Sequence, residues 1–176
     1  GVTSADSAST LFAWDAVVEL TGPEGVRRLP VQEFYLGAGK VDIRAGEIQT
    51  AILIPKESYE GCFGHYIKYA MRNAMDIATL GTSVNVRLSA DKKTVERARV
   101  AFGVAGPIPL RAAHAEALAA GQPVSAELAE RFGQAVREDI NPRDSWRAAK
   151  DFRMHIAAES AKRAFTESVR LAGGDL

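Results

Sequence analysis

Apolar residues in the first third of the chain recur at spacings typical of a short helix followed by strands. Leu11, Phe12 and Trp14 give apolar bulk to a helix predicted over residues 6–14, which Asp6 or Ser7 can cap. The following segments are predicted as two hairpin strands, a short helical turn, a flexible loop and a third strand: residues 16–21, 26–30, 30–36, 36–40 and 47–54.

The remainder of the chain shows a different order of elements. A polar segment without periodicity precedes three strand-like runs at residues 63–72, 78–88 and 95–104, and Pro107 and Pro109 are expected to end that sheet. Three predicted helices follow: residues 111–120, a helix capped by Ser125, and residues 146–171. Strands in a run followed by helices in a run predict an α+β fold, a three-stranded antiparallel sheet packed with three helices. We place a domain boundary between residues 1–56 and residues 57–176.

The stretch KYAMRNAMDIATLG, residues 68–81, has a polar middle that suits neither a buried strand nor a simple turn. We interpret it as two strands joined by a short loop over residues 73–75, with Arg72 and Asp76 on either side. Those two residues are candidates for a loop ion pair, which contributes little when exposed. Taken by pattern alone, Lys68 is an exposed lysine on an alternating strand.

Composition narrows the class of protein. With 176 residues, 47% hydrophobic and 25% charged, the chain has the balance of a soluble globular protein. Lys+Arg and Asp+Glu are both 22, and the zero net charge argues against a nucleic-acid partner. No apolar run approaches the ~20 residues that cross a bilayer, and no secretory signal opens the chain. We therefore expect a cytoplasmic protein with no membrane partner.

Motifs for self-contained catalysis are missing. The run Gly-Ala-Gly-Lys at residues 37–40 lacks the first glycine and the final Ser or Thr of a phosphate-binding loop. Three histidines are scattered without metal-ligand spacing, so we predict no metal site and no catalytic residue. The single cysteine, Cys62, holds neither a cluster nor a disulfide alone and is expected to be a small buried residue.

Five stretches in order carry a resemblance to one family. They are TSADSA (3–8), GAGKVDIRAGEIQTAILIP (37–55), KYAMRNAMDIATLG (68–81), FGVAGPIPLRA (102–112) and SWRAAKDFR (145–153). Together they resemble the FAD-binding subunit of molybdenum hydroxylases, of the bacterial xanthine dehydrogenase type. The resemblance implies the C-terminal part of a two-part FAD-binding domain followed by a C-terminal α+β domain. It also implies that this chain is the C-terminal portion of such a subunit, without the N-terminal FAD-binding part and its glycine-rich flavin phosphate loops.

The same resemblance implies an oxidoreductase subunit that works with partner chains and is not active alone. In the family, a molybdenum-binding subunit carrying molybdopterin hydroxylates a purine or similar heterocycle. Electrons then pass through the [2Fe–2S] clusters of another subunit to FAD, and on to NAD+ or another acceptor. The alternative is a truncated assembly module that docks partner subunits without binding flavin itself.

Four residues match family positions near the flavin. Asp6 matches an acidic residue on the ribityl or phosphate side, although it can also be only a helix cap. Ile48 and Gln49 match the strand position that packs on the isoalloxazine, where Gln49 departs from the usual apolar residue. Lys68 matches a lysine near the ring, and an ammonium there would stabilise electron density gained on reduction. Trp146 and Arg147, by contrast, are interpreted as packing at a helix start.

Overall fold

In the computed structural model, which describes residues 1–176, the first part of the chain forms helix α1 beside a small antiparallel sheet. The sheet has strand order β2-β1-β5. Its elements are α1 (Asp6–Ala13), β1 (Val17–Gly22), β2 (Gly25–Pro30), α2 (Val31–Phe34), β3 (Tyr35–Gly37), β4 (Lys40–Val41) and β5 (Ile48–Leu53). The predicted helix, hairpin, helical turn and third strand are confirmed. The predicted flexible loop over residues 36–40 is wrong, because β3 and β4 pair as a tight hairpin that turns at Gly39 with φ +72.

The second part folds around a four-stranded antiparallel sheet in the order β6-β7-β8-β9. Its strands are β6 (Cys62–Tyr69), β7 (Leu80–Leu88), β8 (Val95–Gly103) and β9 (Leu110–Arg111). Its helices are α3 (Lys56–Tyr59), α4 (Ala113–Ala119), α5 (Ala126–Ala135) and α6 (Lys150–Leu171), with a 3-10 turn at Val136–Glu138. The α+β class is confirmed, and Ser125 caps α5 by accepting a hydrogen bond from the Leu128 amide at 3.1 Å.

The sheet and the last helix of this part differ from prediction. The sheet has four strands rather than three, because the chain returns after Pro107 and Pro109 to pair Leu110 with Phe102. Helix α6 begins at Lys150 rather than at residue 146. At this helix start, Asp144 accepts a hydrogen bond from the Lys150 amide at 2.6 Å. Strand β9 has only two residues and shows no hydrophobic period, and the start of α6 is an element boundary, which sequence patterns locate poorly.

The four-stranded sheet is covered on both faces. On one face, α4, α5 and α6 enclose the larger core, where the rings of Phe132 and Phe165 lie 4.6 Å apart between centroids. On the other face lies α1, whose close approach depends on glycine. A Cβ at Gly64 would sit 2.9 Å from the Trp14 ring. The smaller core, on the α1 side, includes Ala101 from β8, so the sheet contributes to both cores.

Helix α1 therefore belongs to the first part by sequence and packs on the sheet of the second part. The division between residues 1–56 and residues 57–176 stays a prediction. Cys62 is buried, as expected, and its thiol lies 3.1 Å from the Arg97 guanidinium. No helix combines the length and apolar character needed to cross a membrane.

Candidate functional site

The structure brings together two of the four predicted site residues. Lys68 lies near the end of the edge strand β6. Asp6 is the first residue of α1, the helix that packs on the same face of the sheet. The Lys68 ammonium donates to Asp6 Oδ2 at 2.7 Å across 62 residues of sequence. The pair is partly exposed, so its attraction is screened by solvent, but it fixes the position of the ammonium group.

Asp6 does not act as a helix cap. The residue at the N-cap position of α1 is Ala5, and no side chain caps that helix end. Asp6 instead occupies the first turn, where its negative charge interacts favourably with the helix dipole. Its carboxylate accepts from Lys68 and from the Tyr66 hydroxyl at 3.4 Å, so the capping interpretation is wrong.

Lys68 also donates to the backbone oxygen of Asp76 at 2.6 Å. An ammonium group carries three N–H donors, and these two bonds use two of them. The side chain borders a cavity of about 250 Å3, which is otherwise lined by residues 70, 72–76 of the following loop. Lys68 therefore presents a fixed positive charge with one donor left for a ligand.

The loop that forms this cavity is longer than predicted. Strand β6 ends at Tyr69 and β7 begins at Leu80, so ten residues, 70–79, connect them rather than the three predicted. Asp76 organises this loop by accepting three backbone N–H bonds at 2.8–3.0 Å, from Met71, Arg72 and Ile77. The predicted ion pair between Arg72 and Asp76 is present but long, at 3.8 Å.

The hydrogen bonds to Asp76 change its acidity. Burial raises the pKa of this carboxyl group, but the three backbone donors and the charge of Arg72 outweigh burial and hold the pKa below its usual value. The loop that Asp76 orders carries exposed apolar side chains, above all Met75, which is 95% exposed and has φ +51. The cavity beside Lys68 is thus lined by the charged side chains of Lys68, Arg72 and Asp76 and by the exposed apolar side chain of Met75.

Tyr66 is a site residue that the sequence interpretation missed. Burial and the neighbouring Asp6 charge both raise the pKa of its phenol, which therefore stays protonated and donates to Asp6. Tyr66 and Lys68 are two residues apart on one strand, and side chains at that spacing share a face. That spacing was available in the sequence once Lys68 had been singled out.

Ile48 and Gln49 lie apart from this cluster. Both are on β5, at the edge of the three-stranded sheet, and no hydrogen bond or ion pair links them to Asp6 or Lys68. The Ile48 side chain is 66% exposed, which is unusual for an isoleucine in a strand and leaves an apolar surface on that edge. The structure thus supplies a polar cluster and a separate apolar strand edge.

A larger cleft of about 720 Å3 lies between the segment before α1, the β8–β9 connection and the segment before α6, and Ile77 and Ala78 of loop 70–79 also line it. Trp146 lies on it and is 78% exposed, four residues ahead of the first residue of α6. The interpretation as packing at a helix start is therefore wrong for Trp146, whereas Arg147 is half-buried and packs on the Trp146 ring at 4.2 Å. For neither residue does the sequence pattern distinguish an exposed side chain from a packed one.

Comparison with known families matches nearly the whole chain in two parts. The family described as CO dehydrogenase flavoprotein C-terminal domain matches residues 65–168. The family described as FAD binding domain in molybdopterin dehydrogenase matches residues 1–57.

Individual relatives agree with these matches. The xanthine dehydrogenase FAD-binding subunit of Escherichia coli is 42% identical over 176 residues, which is 100% of this chain and 60% of the relative. The carbon monoxide dehydrogenase medium chain of Hydrogenophaga pseudoflava is 26% identical over 159 residues, or 90% of this chain and 54% of that protein. This chain therefore spans about 60% or less of the length of these curated relatives.

Solved structures show the same likeness. Carbon monoxide dehydrogenase from Hydrogenophaga pseudoflava, in a form that lacks the Mo-pyranopterin moiety of its cofactor, superposes with a TM-score of 0.87 at 27% identity. That match covers 98% of this chain and 58% of the other. Quinoline 2-oxidoreductase from Pseudomonas putida 86 matches at a TM-score of 0.85 and 20% identity, covering 97% and 58%, which shows a shared fold.

Proposed function

We propose that this chain forms part of an electron-transfer flavoprotein subunit, because it belongs to the family of FAD-binding subunits of molybdenum hydroxylases. The proposed complex is of the xanthine dehydrogenase type, which is the activity named for the E. coli relative. Its proposed partners are a molybdenum-binding subunit and a [2Fe–2S] subunit, with a purine-like substrate oxidised on the former. The proposed electron acceptor is NAD+ or another acceptor.

The observation that carries the proposal is the Lys68 ammonium group. It is held between Asp6 Oδ2 at 2.7 Å and the Asp76 backbone oxygen at 2.6 Å, and it keeps one N–H free at the mouth of a cavity. A positive charge fixed in this way suits a ligand that gains electron density, since attraction to that density strengthens as the ligand is reduced. A lysine held only by solvent would not have a defined position.

The polarity of the predicted site residues suits a flavin. Lys68 and Asp6 would hold polar atoms of FAD, while the exposed Ile48 and the neighbouring Gln49 offer a strand edge for the flat face of the ring. The cavity of about 250 Å3 beside Lys68 is small, so this chain provides one wall of the site. FAD, when bound, supplies the ability to accept electrons one at a time and pass them on as a pair.

The proposal is tested by titrating FAD into the purified protein, alone and mixed with the N-terminal FAD-binding part that the resemblance implies, and following visible flavin absorbance and fluorescence. We expect Lys68→Met to weaken FAD binding and to lower the reduction potential of bound flavin, because the charge that favours the reduced form is gone. Lys56→Met is the matched control, since Lys56 is an exposed lysine paired only with Glu60. An unchanged flavin affinity and potential in Lys68→Met, beside an unchanged control, would contradict the role of Lys68.

The competing function is an assembly module that docks partner subunits without flavin. The exposed Met71 and Met75 side chains of the loop favour it, because solvent-exposed methionines are common on docking surfaces. The two functions separate in a pull-down with the partner subunits, carried out together with the titration. Partner binding with no uptake of FAD, in the isolated protein or in the complex, supports docking alone and overturns the flavoprotein proposal.

A further inference from the structure

Strand β6 lies at an open edge of the four-stranded sheet. Its eight residues pair with β7 on one side without a bulge. Its backbone makes one further hydrogen bond, from the Thr79 amide just before β7 to the Tyr69 oxygen, so its other side is unpaired. Proteins commonly protect such an edge with proline, a bulge or several charged residues. Residues 62–69 contain no proline and one lysine, Lys68, which already bonds Asp6, so this edge is suited to pairing with another chain.

Exposed apolar side chains border this edge on the side of helix α6. Phe63 and Tyr69 lie on the same face of β6 as Ile67, which packs against the larger core. The Tyr69 ring meets the Phe152 ring of α6 edge to face, with 5.7 Å between centroids. Phe63, Tyr69 and Phe152 are 40–42% exposed. Because α6 packs along β6, these side chains form one partly apolar surface at the sheet edge.

Helix α6 carries a regular series of polar side chains beside this surface. His155, Glu159, Arg163 and Glu167 follow one another at intervals of four residues, so they lie along one side of the helix. Within one chain, Arg163 donates to Glu159 at 2.6 Å. An exposed pair of this kind contributes little to stability, and its carboxylate can accept from a second arginine.

This series is complementary to itself in reverse order. When two copies of a helix pack antiparallel about a two-fold axis, each residue meets the residue equally far from the axis in the second copy. With the axis midway between Glu159 and Arg163, each Glu159 faces Arg163 of the second copy, and each His155 faces Glu167. No like charges meet in these contacts. A surface that complements itself indicates a second copy of this chain rather than an unrelated partner.

The ends of the series and the strand fit the same arrangement. Phe152 and Arg170 lie three residues beyond His155 and Glu167, so the ring of one copy faces the guanidinium group of the other, as in a cation–π pair. Residues 152–170 of the helix span about 27 Å at ~1.5 Å per residue. Strand β6 spans roughly 26 Å at ~3.3 Å per residue. The helix contacts and the strand edge therefore extend over the same length.

We propose that a second copy of this chain docks on the surface formed by β6 and α6, giving a dimer with two-fold symmetry. One axis perpendicular to the sheet makes both pairs of elements antiparallel. The two β6 strands lie edge to edge, the two α6 helices pack side by side, and Phe63 and Tyr69 become buried. Arg163 of each copy then bonds Glu159 of the other copy as well as its own.

The test is sedimentation equilibrium of the purified protein over a range of concentrations. We expect the mass of two chains, where a single chain has 18.9 kDa. Glu159→Arg and Arg163→Glu should each raise the dissociation constant of the dimer at least about tenfold, because like charges then face each other across the axis. Mixing these two variants should restore the dimer, since each contact between the two different chains again joins opposite charges. Repulsion within each helix persists in the mixture, so restoration can come only from contacts between copies.

Two further variants complete the experiment, with circular dichroism confirming that each is folded. Phe63→Lys places a charge on the strand edge and should abolish the dimer. Arg131→Glu is the matched control for charge reversal, because Arg131 is exposed on α5, which lies apart from β6. Its dissociation constant should equal that of the unchanged protein.

Each outcome decides the proposal. A monomer at every concentration overturns it and leaves the surface to another subunit of the complex. Monomers in the mixture as well as in each variant alone would mean that charge reversal acts within one helix, which overturns the two-fold contact. An unaffected dimer in Phe63→Lys, or a lost dimer in Arg131→Glu, overturns the assignment to this surface. None of these measurements needs flavin, so this proposal and the flavoprotein proposal fail separately.

Discussion

At the scale of single residues, side chains in the candidate site act mainly by holding one another and the backbone in place. Asp6 holds the Lys68 ammonium, and Asp76 holds three amides of the loop through both of its carboxylate oxygens. Neither residue is packed in a core, so both act on the site through polar contacts. The lowered pKa of Asp76 makes acidity the natural variable with which to test its contacts.

Loop 70–79 is predicted to lose order in acid. The pKa of Asp76 in the folded protein lies below the ordinary aspartate value of about 3.9, so the folded state binds the proton less readily than the unfolded chain. The stabilisation is complete above that ordinary pKa and is lost as pH falls through the folded-state pKa. We expect the amides of Met71 and Arg72 to lose protection from hydrogen exchange over that range.

The Asp76→Asn variant should show the same loss at neutral pH. Asp76 Oδ2 accepts two N–H bonds and Oδ1 accepts a third, whereas an asparagine side chain has a single acceptor oxygen. Asp91→Asn is the matched control, since Asp91 also has a lowered pKa but orders the β7–β8 hairpin instead. Unaltered exchange of Met71 and Arg72 in Asp76→Asn would show that other contacts order the loop.

The spacing of the site residues along the chain decides how much of the site could be predicted from the sequence. Tyr66 and Lys68 share a strand face, which alternation alone indicates. The partnership of Lys68 with Asp6 spans 62 residues and depends on how α1 packs on the sheet, so no local pattern contains it. The exposure of Trp146 was missed because an apolar aromatic residue is buried far more often than not.

At the scale of elements, the long periodic segments were predicted, and the two-residue strand β9 was missed. Strands β7 and β8 and helix α5 follow their hydrophobic patterns closely. Strand β9 has two residues, too few to show a period, and exists because β8 offers a free edge to it. Strand β9 places Arg111 beside α4 and α1. There Arg111 joins a cluster of charged side chains that links β9 with these two helices.

That cluster is predicted to contribute substantially to stability. Glu116 is nearly buried, accepts the Val100 amide at 3.0 Å and pairs with Arg111, which also pairs with Asp15 at the end of α1. Glu116→Gln leaves Arg111 with less compensation, and removing one partner of a buried pair costs about 3–5 kcal/mol. We expect a loss of about 2 kcal/mol or more in urea unfolding, given the partial exposure of Arg111.

Glu167→Gln provides the comparison for that measurement. Glu167 pairs with Arg170 one turn away on the exposed side of α6, and such exposed pairs contribute little. Its unfolding midpoint should match that of the unchanged protein. Equal effects of the two substitutions would mean that the Glu116 cluster is no more than a surface ion pair.

The contact between α5 and α6 is predicted to require glycine at position 133. A Cβ there would lie 2.6 Å from the backbone oxygen of Ala158 and 3.0 Å from the Lys162 Cβ, so the helices would have to separate. Alanine favours a helix over glycine by about 1 kcal/mol, whereas overpacking costs about 1–3 kcal/mol. We expect Gly133→Ala to lower the free energy of unfolding measured in urea.

Gln134→Ala tests the propensity part of this argument by itself. Gln134 is the next residue of α5, is exposed, and bonds only to Glu130 on the same helix. Its substitution should change stability by no more than a few tenths of a kcal/mol, roughly the spread of ordinary helix propensities. A stabilised Gly133→Ala variant would show that α5 and α6 can move apart at little cost.

At the scale of the whole molecule, the two parts of the chain share one sheet. The face of β6–β9 that does not pack on α6 carries α1, and Ala101 of β8 lies in the smaller core. The Asp15 carboxylate at the end of α1 pairs with Arg99 and Arg111 of the same sheet. A boundary between residues 1–56 and residues 57–176 therefore separates stretches of sequence that are joined by packing and by charge.

This joining predicts that the two parts unfold together. A single cooperative transition is expected when separate segments bury one another's surface, because neither segment retains its core alone. Trp14 packs over Gly64 at the junction and Trp146 is exposed, so a Trp146→Phe background leaves one fluorescent reporter of the junction. Fluorescence of Trp14 and far-ultraviolet circular dichroism should then give the same urea midpoint.

The same experiment with Arg99→Gln and with Arg131→Gln examines the charged link. Arg99 reaches Asp15 at 3.3 Å across the junction, while Arg131 is an exposed arginine without a salt bridge. Arg99→Gln should shift both midpoints downward together, since a cooperative molecule loses stability as a unit. A Trp14 transition that precedes the loss of helix, in the unchanged protein or in Arg99→Gln, would mean that residues 1–56 open independently. In that event the Lys68–Asp6 contact, which spans the same junction, would also be broken in a partly folded population.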